Sequence, residues 1–133
     1  MTANDNSVDF AIGRDVASAE AIEQARKLAA FMLPGLVNGA PDEARLCAAV
    51  TDVLIELVDL TARYPASGGL VGQLSYDESH VMVSVGDMGR ALPSVEEEPG
   101  LHLVYRLVED AGADIGQHVG DRGGWVTWVA VAV

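Results

Sequence analysis

Three short stretches hold the residue types best suited to chemistry. Glu56-Leu57-Val58-Asp59-Leu60-Thr61-Ala62-Arg63-Tyr64 sets two carboxylates and an arginine into an apolar run with helical spacing. Val85-Gly86-Asp87-Met88-Gly89, followed by Leu92-Pro93, brings a carboxylate next to glycine where a strand should end. Pro99-Gly100-Leu101-His102-Leu103-Val104 puts a glycine at the head of a helix. Each also has a plain structural meaning. Glu56 suits a solvated helix face, Asp87 to Gly89 a turn, and Gly100 the handover from loop to helix. Leu60 suits the edge of an apolar stripe. Other chemistries lack support. His80, His102 and His118 are dispersed without metal-ligand spacing. Cys47 lies among alanines and reads as a buried, inert thiol. Neither a Gly-x-Ser-x-Gly elbow nor a Walker glycine loop is present.

The elements that must position these residues follow from hydrophobic period. Residues 1–9 are polar and read as loose, and 1–14 as a flexible segment before a domain over 15–133. A first helix is expected from Ser18 to Leu33, with Ile22, Ala25, Leu28, Ala29 and Met32 at helical spacing and Pro34-Gly35 as its stop. A second is expected from Asp42 to Tyr64. Leu46, Val50, Val53, Leu54, Leu57 and Thr61 form its apolar face, and Asp59 and Arg63 an i,i+4 pair opposite. The period then switches to two. Leu70 to Tyr76 and His80 to Val85 read as strands around an Asp77-Glu78-Ser79 turn, with Asp87 to Arg90 breaking the second. An acidic loop, Ser94 to Pro99, leads to a helix from Leu101 to Ala111, with Leu101, Val104, Leu107 and Val108 as its stripe. Asp114 to Val119 and Trp125 to Val133 read as closing strands. The last is apolar on both sides and so expected inside the sheet, with Trp125 and Trp128 on opposite faces. The order α-α-β-β-α-β-β predicts an α+β fold, a mixed, mostly antiparallel sheet with helices on one face.

In order and spacing the three stretches resemble the histidine-kinase-like ATPase domain, the GHKL or Bergerat superfamily. Within it they are similar to the small anti-sigma-factor serine kinases of Gram-positive bacteria. The match includes Ala25-Arg26 and the closing Gly124-Trp125-Val126-Thr127-Trp128-Val129. The resemblance implies a Bergerat-type α/β sandwich over about residues 15–133. It implies Glu56 as general base, Asp87 as reader of the adenine amino group with Gly89 leaving room for the base, and Gly100-Leu101 as part of a phosphate-facing helix start. It also implies magnesium held by an Asn four residues after the Glu. Leu60 stands there and offers no oxygen. At that spacing its side chain lies about 40° around the helix from Glu56, so no metal ligand is expected from this position.

The lid departs from the pattern as well. Glu98 replaces a glycine, Pro99 has no N–H to give a phosphate, and Glu96-Glu97-Glu98 adds like charge where a triphosphate would lie. These changes predict weak or absent Mg-ATP binding and an impaired kinase. The leading expectation is therefore an anti-sigma-factor-like regulator of a partner-switching system. It would bind a sigma factor or an anti-anti-sigma antagonist, and the family suggests a homodimer. The alternative is an active ATP-dependent serine kinase that phosphorylates the antagonist, with metal held by phosphates, water or Asp59, which points about 100° away from the Asn position. A third reading is a pocket for another small molecule, made more apolar by Leu60.

Composition narrows the partners. The chain has 133 residues, 8 basic and 20 acidic, for a net charge of −12. A single lysine, Lys27, argues against a nucleic-acid groove or an anionic membrane patch. A lone cysteine excludes a disulfide framework. The first residues lack the features of a signal peptide and no stretch has the length of a membrane helix, so a soluble cytoplasmic protein is expected.

Overall fold

The computed structural model describes residues 7–12, 18–66, 69–92, 96, 101–110, 114–121 and 123–133. Its elements run β1 (Ser7–Ile12), α1 (Ser18–Leu36), α2 (Glu43–Arg63), β2 (Leu70–Tyr76), β3 (His80–Met88), α3 (Leu101–Asp110), β4 (Asp114–Val119) and β5 (Trp125–Ala132). The strands form one sheet in the order β1-β2-β3-β5-β4, and every neighbouring pair is antiparallel. The fold is α+β, as hairpins with segregated helices dictate.

Pairing register assigns the faces. Phe10, Gly72, Val85, Thr127 and Gln117 share one row, and Val8, Leu74, Val83, Val129 and Ile115 another. These rows face the helices, and Leu74, Val83, Val85 and Val129 are fully buried there. The intervening row, Asp9-Gln73-Ser84-Trp128-Gly116, faces away. There the Trp128 ring occupies the space that a Cβ on Gly116 would need. Trp125, on the other side of β5, packs against the core, so the two indoles take opposite faces as expected. β5 lies inside the sheet, between β3 and β4.

α2 is the centre of the helical layer. Leu46, Val50, Val53, Leu54, Leu57, Val58, Leu60 and Thr61 are its buried residues, and it packs on α1, β3 and α3. Burial of each large aliphatic side chain adds about 1.5–3 kcal/mol. α1 contributes Ala21, Ala25 and Ala29, small residues that let the two helices approach closely, and the large buried Leu33. Of the expected α3 stripe, Val108 is buried. Leu101, Val104 and Leu107 have side chains outside the described set. Among the described residues no helix is long and apolar enough to cross a membrane.

Three expectations are corrected. From sequence, residues 1–14 lie outside the ordered elements. The structure places Ser7–Ile12 in β1, paired with β2 along its whole length, because Val8, Phe10 and Ile12 alternate toward the core. α1 continues past Pro34 to Leu36. The proline removes only one late donor, while Leu36 and Val37 are buried and Val37 N–H bonds Leu33 O at 3.0 Å. β3 runs on through Asp87 to Met88 instead of ending at Val85. A register shift against β5 between Val85 and Met88 inserts an extra residue, a β-bulge that keeps pairing alive through the glycine.

Candidate functional site

Glu56 sits in the middle of α2, partly buried. Burial is the main cause that raises its pKa above the ordinary glutamate value. Asp59 adds to the rise, Arg63 opposes it, and Asp52 adds further. Arg63 is already paired, Nη2 to Asp59 Oδ2 at 3.3 Å. Glu56 is thus a carboxyl in a crowded acidic stretch, biased toward holding its proton. That bias is compatible with proton transfer and equally with a half-covered surface charge.

Leu60, one turn on, is fully buried with Leu57 and Val58. Thr61 spends its hydroxyl locally, donating to Leu57 O at 2.7 Å. The corner where the resemblance asks for a magnesium ligand is therefore hydrocarbon built into the core. Leu60 itself offers no ligand to a divalent cation. Among the described residues no group of three or more His, Cys, Asp or Glu side chains is arranged to hold a metal.

Asp87 is the one acidic residue among the buried side chains described, 8 % exposed, near the end of β3. Two backbone bonds hold this strand end against the exit of α2. Ala66 N–H donates to Asp87 O at 3.1 Å, and Gly89 N–H to Tyr64 O at 2.8 Å. Gly89 has to be small there, since a Cβ would lie 3.0 Å from Pro65 O. On the other side the β4–β5 turn closes over the carboxylate. A Cβ on Gly124 would collide with that of Asp87, and one on Gly120 would sit 3.3 Å from its Oδ1. Gly120 N–H bonds Gly124 O at 2.7 Å, and Gly123 takes a positive φ of 84° to make the turn. Roughly 12 Å of helix separates Glu56 from Tyr64.

Beside Asp87 runs a polar thread that sequence reasoning missed. Gln117 Oε1 accepts from Leu92 N–H at 2.7 Å, and its Nε2 donates to Thr127 Oγ1 at 3.0 Å. Thr127 in turn donates to Met88 Sδ at 3.4 Å. The signal was available. Thr127, Val129 and Val131 alternate on the core face, and a hydroxyl in that series asks for a partner. Arg90 reaches over the Tyr64 ring, 5.3 Å from its centroid, so it belongs to the same strand end.

Of the residues expected to form a nucleotide site, Asp87 and Gly89 lie at the β3 end, and Glu56 lies on α2 about two turns before Tyr64. Gly100 lies outside the described residues, as do Glu97, Glu98 and Pro99. Leu101 opens α3, its side chain outside the described set. Glu96 is exposed. His80 and His118 are exposed and far apart in the sheet. Cys47 is partly buried, and burial, then Glu43, pushes its thiol pKa up, so it stays protonated. A cleft of about 500 Å³ opens between the α1–α2 connection and the β2–β3 turn, with Asn38, Tyr76 and Glu78 in its wall and none of these site residues. A scan against protein-family models found no match to the chain, and a search of curated proteins found none.

Proposed function

We propose that this chain is a cytoplasmic regulator resembling an anti-sigma factor, which acts by protein–protein binding and holds Mg-ATP weakly or not at all. The observation that supports the reading is Leu60. It is fully buried one turn from Glu56, at the position where the resemblance asks for an oxygen donor. Restoring a ligand there means tearing a side chain out of the core, not turning a surface rotamer. The β3 end that carries Asp87 and Gly89 is tied by backbone bonds to Ala66 and Tyr64 at the exit of α2, which is compatible with the adenine-reading role that the resemblance implies. The partner would be a sigma factor or its anti-anti-sigma antagonist. A net charge of −12 speeds encounter with a basic surface.

The test is complex formation with purified sigma factors and antagonist proteins, with and without Mg-ATP. The reading expects a complex that forms without nucleotide and is unchanged by it. Transfer of phosphate to a serine of the antagonist would overturn it in favour of an active kinase.

A further inference from the structure

β1 ends the sheet, with β2 on one side and no strand on the other among the described residues. Beside it, the flank of α1 opens a groove of about 300 Å³ lined by Ala11, Gln24, Lys27, Leu28 and Phe31. Phe31 is 86 % exposed, the largest exposure among the big apolar side chains described. An exposed aromatic beside a sheet edge is the arrangement that accepts an added strand. Main-chain bonds supply the pairing, and alternate side chains drop into the flanking groove.

The charges point to the kind of strand. Arg26, Arg45 and Arg63 are each paired to a carboxylate on their own helix or its cap. Lys27, the chain's single lysine, has no ion pair among the described residues and lies in the groove wall. The lining holds no acid, although the chain has 20, and from Leu28 to Leu36 α1 carries no charge at all. A carboxylate seated on Lys27 meets a cation with no acid in the groove lining itself. A second copy is a poor occupant, since each brings a net charge of −12.

We infer that the groove between α1 and β1 docks an extended segment of a partner protein, added as a strand to β1, with apolar side chains on Leu28 and Phe31 and a carboxylate on Lys27. The surface does not depend on nucleotide, and its lining shares no residue with the Glu56 and Asp87 regions.

The probes are two synthetic peptides of alternating valine and threonine, one with a central glutamate and the other with lysine in its place. Amide hydrogen exchange of the full chain should slow between Val8 and Ile12 on adding the glutamate peptide. That peptide should bind roughly fivefold tighter than its lysine counterpart, the size of an exposed ion pair exchanged for a like-charge contact. Lys27→Glu should reverse the preference, and Phe31→Ser should weaken both peptides. Both residues are exposed, so melting temperature checks that the fold is kept. Absence of protection in β1, an equal preference for the two peptides, or protection confined to another strand overturns the proposal. So does concentration-dependent dimerisation that protects β1 without peptide, which would make a second copy the occupant.

Discussion

At the scale of single residues, Leu60 and Glu56 separate packing from chemistry. Leu60→Ala should cost about 2–4 kcal/mol in urea unfolding, since a buried leucine leaves a cavity that a helix in the central layer cannot close. A change near zero would mean that the side chain is not in the core. Glu56 makes the opposite test. Its pKa is raised in the fold, so the folded state favours the protonated form. That contribution is fully present below the unfolded value and is lost as pH rises through the folded one. Glu56→Gln should therefore stabilise the protein at neutral pH, with the gain shrinking as pH falls into the ordinary carboxylate range. A gain that persists at low pH would argue for a cause other than ionisation. The site was legible in part at this scale. Glu56 and Asp87 could be singled out as candidates because carboxylates stand out in apolar runs, and Gly89 by its place beside Asp87. Gly120, Gly124, Thr127 and Gln117 were not, because their importance comes from distant strands meeting at the β3 end, the glycines against Asp87 and the polar pair against Met88.

Whole elements were easier to read where one face is buried. α2 and β2 were expected within a residue of their bounds, because their apolar periods run unbroken. β1 was overlooked, since three core residues spaced by two carry little weight in a polar leader until β2 is seen to pair with them. The extension of β3 was hidden by Gly86 and Gly89, which spell a turn locally but make a bulge when β5 holds the register. One turn and one close packing contact can be tested at this scale. Asp77 Oδ1 accepts from His80 N–H at 2.8 Å, Ser79 Oγ at 2.8 Å and Ser79 N–H at 3.0 Å, and these bonds, the His80 backbone bond foremost, hold its pKa below the usual carboxylate value. Its contribution to the turn is present above the unfolded pKa and is lost as pH falls through the lower folded one. Asp77→Ala should speed amide exchange at the β2–β3 turn and remove that acid sensitivity; unchanged exchange would dismiss the cap. Gly72 gives a packing test. The Phe10 ring lies over it, and a Cβ would also meet Ser84 O at 2.6 Å. Gly72→Ala should cost about 1–3 kcal/mol through overpacking, read as a lower urea midpoint with β1 exchange most affected.

For the molecule as a whole, acidity and the buried Leu60 set the expected behaviour. A net charge of −12 makes the folded chain repel itself. Salt that brings the screening length to about 8 Å should raise the melting temperature over that in dilute buffer, and a salt-independent melt would mean that the acids are locally compensated. Nucleotide is the sharper probe. A ligand at about 100 times its Kd adds about 2.7 kcal/mol of stability, a rise of roughly 10 °C in a domain of this size. The most direct measurement is therefore the melting temperature with and without Mg-ATP. With Leu60 locked in the core, addition of magnesium and ATP together should leave the melt where it was. A rise that requires both would contradict the account, because the cation would then have found its ligands in spite of Leu60.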